Sequence, residues 1–141
     1  MALRHVLDLV LRDLELIVLC ACETAIPELS DPTGEQMAMP AAWLAAGAAT
    51  ALGTLWQVEQ GPSSLLLWEF FRRLAGREAP PLRPAAALCE AQRWLRQASR
   101  GELNRVLATY VPGSLKIPEE QGDLPYAHPF YWSAFALYGA P

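Results

Sequence analysis

Residues 36–58 carry no charged side chain. A stretch of that length has to be hidden from water, either in a bilayer or in a protein core, and the choice decides the class of fold. The segment reads QMAMPAAWLAAGAATALGTLWQV; it is rich in alanine and is interrupted by Pro40, Gly47 and Gly53. Turn chemistry in the middle of an alanine-rich run fits a buried helix, a turn and a buried strand better than a membrane span. The helix is expected to open at Thr33, whose hydroxyl can cap it while Gln36 reaches back to complete a capping box. Pro40 is compatible with it only near the first turn, and Gly47 stands where a glycine closes a helix. The strand that follows is expected over residues 50–56.

The flanking sequence extends the pattern. LELIVLC, residues 14–20, is a short and almost continuous apolar run with β-branched members, as in a strand buried on both faces of a parallel sheet. Glu23 to Thr33 holds Pro27, Ser30, Asp31 and Pro32 and reads as a loop. Residues 3–12 form a short helix or extended lead-in with Leu3, Leu7, Val10 and Leu11 on one face. Pro62 starts a helix that runs to about Ala75, with Leu66, Phe70 and Leu74 on its inner stripe and Leu67 and Phe71 beside them. GREAPPLRP is a linker. A helix from Pro84 to about Ala98 turns Leu88 and Leu95 inward and Arg93 and Arg96 outward, with Cys89 as a small core residue. A shorter helix covers Gly101 to Thr109, a loop runs from Tyr110 to Pro129, and residues 130–139 alternate aromatic and small residues as a last strand. The order strand, helix, strand, three helices, strand predicts an α/β layered domain with a mainly parallel sheet. Three strands are few for such a sheet, so an open edge is expected, as in the second half of a larger domain.

Composition narrows the function. A hydrophobic fraction of 52% with 18% charged residues excludes a disordered chain, and a net charge of −4 gives no pull toward nucleic acid or acidic membranes. Between Arg72 and Arg105 the balance reverses, with eight arginines against Glu78, Glu90 and Glu102; arginine-rich solvated helices explain this more simply than a docking face. Three cysteines offer no framework of pairs. Cys20 and Cys22 lie at the edge of disulfide reach along a strand and lack the partners of a zinc site, so no metal or cofactor is expected. Reduced thiols suit a cytoplasmic protein, and the start, MALRHVLDLVLRD, carries charges through its apolar stretch, unlike a secretory signal.

In open parallel sheets chemistry gathers where strands end. Cys22 follows the first strand, and Glu59 and Gln60 follow the second. A thiol in such a place is a nucleophile if a histidine takes its proton and amide donors hold the oxyanion. Cys20, still within the strand, is the weaker candidate.

LELIVLCACET, GEQMAMPAAWLAAGAATALGTLWQVE and HPFYWSAFALYG, in that order, resemble the successive blocks of the CHAT domain, a caspase-like cysteine peptidase family related to caspases and separase. The likeness spans about residues 3–139. It implies a caspase-like α/β/α layering, residues 1–141 forming the carboxyl-terminal part of the domain, and an endopeptidase acting through a thioester. Cys22 matches the family's nucleophile, with Glu23 and Thr24 shaping its loop, and Cys20 stands where serine is usual. Gly34 and Glu35 match the start of the next helix, and Leu55, Trp56 and Val58 the second strand tip. Glu59 replaces the family's usual aspartate, beside what in the separase relatives is the pocket for a basic side chain before the scissile bond. It either pairs with such a substrate residue or simply caps the next helix. Gln60 departs from a second acidic position.

The family's general base, a histidine followed by glycine, has no counterpart among these residues. His5 reads as a surface residue and His128 as the structural histidine of the closing block. The resemblance therefore implies either an endopeptidase fragment whose histidine comes from an amino-terminal half or a tetratricopeptide-repeat-bearing region, with a protein or peptide substrate, or a catalytically inactive scaffold that recruits partners. Neither nucleic acid nor membrane is an expected partner.

Overall fold

The computed structural model describes residues 3–19, 35–76, 80–110 and 116–139. They fall into two compact units, one made of the chain up to Gln57 together with the segment from Ala134, the other of Val58–Ser133.

The first unit contains α1 (Leu3–Leu7), β1 (Leu16–Val18), α2 (Glu35–Ala45), β2 (Thr50–Thr54) and β3 (Phe135–Gly139). The charge-free run is the expected helix, turn and strand, and among the described residues no helix is long and apolar enough to cross a membrane. The α/β class holds, but the sheet is mixed rather than mainly parallel. Its order is β1-β2-β3, with β1 parallel to β2 (Leu16 opposite Thr50) and β3 antiparallel to β2 (Phe135 opposite Thr54). No residue pattern in a strand encodes its direction, which is set by how the chain returns after residues 58–133.

β2 is the central strand, with Thr50, Ala51, Leu52 and Gly53 buried, whereas β1 is half-buried, as an edge strand can be. Leu19 N–H continues the ladder to the Leu52 carbonyl at 2.8 Å. Gly53 does not interrupt β2. A Cβ there would lie 3.3 Å from Cγ of Pro40, so its bare backbone lets α2 lie close. Pro40 itself is buried in the second turn of α2 rather than the first. The Thr33–Gln36 capping box lies outside the described residues and side chains. At α1 the buried residue is Val6; Leu7 and Val10 are exposed. Val6 joins Ala42 and Ala46 of α2, with Leu11, Met39 and Trp43 around them.

Gly47 ends α2 as expected, at φ +114°, and a Cβ on it would collide with the Leu11 carbonyl oxygen. Only glycine takes that backbone angle easily. The neighbouring Ala46 carbonyl is thereby free to accept from Leu11 N–H at 2.7 Å, which ties the lead-in to the helix.

The second unit contains α3 (Gln60–Ala75), α4 (Pro84–Gln97), α5 (Arg100–Tyr110), a 3-10 turn at Glu119–Gln121 and α6 (Pro129–Trp132). Its core is Leu65, Leu66 and Phe70 of α3, Ala87, Leu88, Ala91 and Leu95 of α4, and Leu103 and Leu107 of α5. The inner stripe of α3 is rotated from the expected one, because Glu69 is fully buried on it while Phe71 is 47% exposed. Cys89 is exposed, not a core residue. Residues 130–139 are not one strand either. Pro129, with its φ preset, opens the helical turn α6, and β3 starts only at Phe135.

The arginine excess is largely consumed within the unit. Arg72 and Arg73 pair with Glu69 at 2.6 and 2.7 Å, Arg93 with Glu90 at 2.8 Å and Arg100 with Glu119 at 3.4 Å. The Arg96 guanidinium lies over Trp132, 5.7 Å from the ring centre. Asn104 staples the chain after α5 to that helix, its Oδ1 accepting from Ile117 N–H at 2.8 Å.

Candidate functional site at the head of α3

Glu59 is the residue preceding α3, in extended backbone at φ −73° and ψ 143°. Its carbonyl is the fixed part. It accepts from Ser63 N–H at 3.2 Å and from Ser63 Oγ at 2.5 Å, so the helix starts at a defined point. The Glu59 side chain makes no capping hydrogen bond and is exposed. Of the two roles left open by the sequence, capping by a side-chain hydrogen bond is therefore not made, although a carboxylate still gains from the positive end of the helix dipole.

Tyr126 lies against the same turn. Only 7% of it is exposed, and its hydroxyl is 3.5 Å from the point a Cβ on Gly61 would occupy. Tyr131 packs edge-on to its ring at 5.1 Å, and Phe130 packs on Tyr131 at 5.4 Å. The Tyr126 phenol pKa is raised from 10.0, first by burial, then by the charge of Glu59 and by Tyr131. It is neutral throughout the physiological range. Tyr126 sits in a proline-rich stretch whose sequence reads as plain loop, and it is not among the residues that the motifs single out. The cue was the LPYAHPFYW cluster itself, in which aromatic residues pack rather than dangle.

His128 precedes α6, and its Nδ1 accepts from Phe130 N–H at 3.2 Å. An imidazole nitrogen engaged in this way holds a helix start, in line with the structural role expected for it. His5 is exposed on α1. Leu55 is 47% exposed, and Trp56 and Val58 are half-buried. Cys20, Cys22, Glu23, Thr24 and Gly34 lie outside the described residues. Glu35 opens α2. Among the described residues no group of histidine, cysteine and carboxylate side chains could hold a metal ion.

The family model of the CHAT domain matches residues 1–140. The chain belongs to the CHAT domain family. No curated protein and no solved structure matches it. Membership relates this CHAT domain to the caspase-like peptidases, and the match runs through CET at residues 22–24 and HPFYW at 128–132.

Proposed function

We propose that this CHAT domain supplies the nucleophile of a cysteine endopeptidase with caspase-like α/β/α layering, acting on a protein or peptide in the cytoplasm. The observation that carries the reading is the family match over residues 1–140, which supports the resemblance of CET at residues 22–24 to the family's nucleophile block. The Cys22 thiolate attacks the carbonyl carbon of the scissile bond, and its own amide N–H steadies the oxyanion. A histidinium protonates the leaving amine as the C–N bond breaks, and water then hydrolyses the thioester. Glu59 pairs with a basic side chain before the scissile bond. His128 holds a helix start and His5 is exposed on α1, so the histidine comes from outside residues 1–141, carried by an amino-terminal half or a repeat-bearing region.

Missing a general acid–base group costs roughly 10²–10⁴-fold in rate, and free imidazole restores part of such a loss when the rest of the site is present. Hydrolysis of an arginyl-aminocoumarin peptide by the Cys89→Ser chain, which removes the exposed competing thiol, is expected to rise with imidazole concentration. It should vanish in a further Cys22→Ala variant and lose its preference for arginine over citrulline in Glu59→Gln. No hydrolysis at any imidazole concentration would return the family member to the scaffold reading.

A further inference from the structure

The lead-in to β1 packs on α2 at few points. From His5 to Val10 only Val6 is buried; it joins Ala42 and Ala46, while Leu7, Leu9 and Val10 are exposed. A segment that shows water more large apolar side chains than it hides gains little by staying closed. Leu11 N–H donates to the Ala46 carbonyl at 2.7 Å and fastens its far end. Two residues on, Asp13 stands at φ +68°, the one positive angle outside glycine among the described residues. That left-handed backbone is strained for a residue with a side chain, although aspartate tolerates it better than most. Beyond it the Leu14 carbonyl accepts from Ala49 N–H at 2.9 Å, so the strained residue lies between two ties to the turn that joins α2 to β2. Trp43 packs against the cluster of Val6, Ala42 and Ala46, and its indole Nε1–H is buried without a hydrogen bond among the described residues. A buried donor that lacks an acceptor favours any state in which water reaches it.

We propose that residues 3–11 form a detachable strap, hinged at Asp13, whose local opening uncovers Ala42 and Ala46 of α2 and hydrates the Trp43 indole while the sheet stays intact. Opening withdraws Val6 and breaks the Leu11 tie. It leaves in place the Leu14–Ala49 tie and the bond from Leu19 N–H to the Leu52 carbonyl. Relaxation of the Asp13 angle and hydration of the indole N–H together offset the loss of one buried valine. Because the hinge precedes β1, the strap moves without changing the register of β1 on β2. This face of α2 is thereby gated by α1.

Hydrogen exchange of the 141-residue chain at low urea, followed by NMR, tests this, with the Trp43 indole signal assigned by its loss in Trp43→Phe. The Leu11 amide and the Trp43 indole proton are expected to exchange through one shared opening that is nearly independent of urea. The Leu19 amide should exchange at least about tenfold more slowly and with the urea dependence of global unfolding. Val6→Ala, which removes two buried carbons, should speed the Leu11 and Trp43 protons together by about tenfold. Asp13→Gly, which accepts the left-handed angle without strain, should slow both by about threefold. The proposal is overturned if the Leu11 amide exchanges only with Leu19, or if the indole proton does not follow Leu11 through the variants. It is equally overturned if Val6→Ala leaves the Leu11 rate unchanged, because Val6 would then stay seated during the opening, or if Asp13→Gly speeds both protons.

Discussion

Glu69 offers a test of what holds the second unit together. Its carboxylate is fully buried and accepts from Arg72 Nε at 2.6 Å, Arg72 Nη2 at 2.7 Å and Arg73 Nε at 2.7 Å. Hydrogen bonds to charged groups net about 1.5–3 kcal/mol each, but a buried carboxylate loses several kcal/mol of hydration. Removing one partner of a buried pair costs about 3–5 kcal/mol, mainly because a charge is stranded. Here the stranded charges would be the arginines, whose side chains are 22% and 31% exposed and can turn outward, although Arg72 also lies 5.5 Å from the centre of the Trp68 ring. The lower end, about 3 kcal/mol, is therefore expected for Glu69→Ala. Glu69→Gln, which keeps the shape and one acceptor oxygen, should cost about 2 kcal/mol. With an unfolding entropy of roughly 2.1 cal/mol/K per residue, a 141-residue chain melting in one transition loses about 10 °C for 3 kcal/mol. Calorimetry and urea titration read both values. The exposed pair Arg93–Glu90, at 56% and 34% exposure, is the internal control, and Glu90→Gln should stay within about 0.5 kcal/mol of wild type. A Glu69→Gln chain that melts with wild type would refute the reasoning, because it would mean that the two guanidiniums gain nothing from the charge between them.

Gly47→Ala should destabilise by about 2–3 kcal/mol in urea titration, since φ of +114° and the Leu11 carbonyl both oppose a Cβ; a smaller loss than a control alanine substitution on an exposed helix face would show that the turn can relax. The raised pKa of Tyr126 gives a pH dependence with a definite sign: the fold favours the neutral phenol, so this contribution to stability is intact below pH 10.0 and is lost as pH rises through the folded value. The difference in phenolate absorbance between wild type and Tyr126→Phe should show that raised midpoint, lowered in part by Glu59→Gln because burial, the larger cause, remains; a midpoint unmoved by Glu59→Gln would separate the two groups.

What the sequence made legible was local. Gly47 announced the end of α2 because a helix terminus needs a backbone angle that few residues adopt. Pro84 announced the start of α4, and Leu88 and Leu95 its inner face, because the period of 3.6 is written in the residues themselves. Cys89 escaped that logic: Ala87, Leu88, Ala91 and Leu95 form the buried stripe, and a residue one step of about 100° beyond Leu88 falls on the outside however apolar its neighbours are. The inner face of α3 was misread for a related reason. Glu69 does not look like a core residue until Arg72 and Arg73, one turn on, are seen to enclose it. The antiparallel course of β3 had no local sign at all, since FALYG would suit either direction.

The candidate site divides along the same line. Glu59 was visible because it follows a strand and opens a helix, two features of local sequence. Tyr126 was not, because its meaning depends on meeting Gly61 across 65 residues of chain (126 − 61 = 65). The two observations constrain each other. An exposed carboxylate at a helix start is commonplace and implies no ligand, and a buried tyrosine is most often core. The Glu59 carboxylate makes no capping hydrogen bond to the helix amides, and Tyr126 is held by burial and by the edge-on contact of its ring with Tyr131. The midpoint of the Tyr126 phenol in wild type against Glu59→Gln is therefore the more informative quantity, because it registers the two groups together, through the Glu59 charge that adds to the effect of burial.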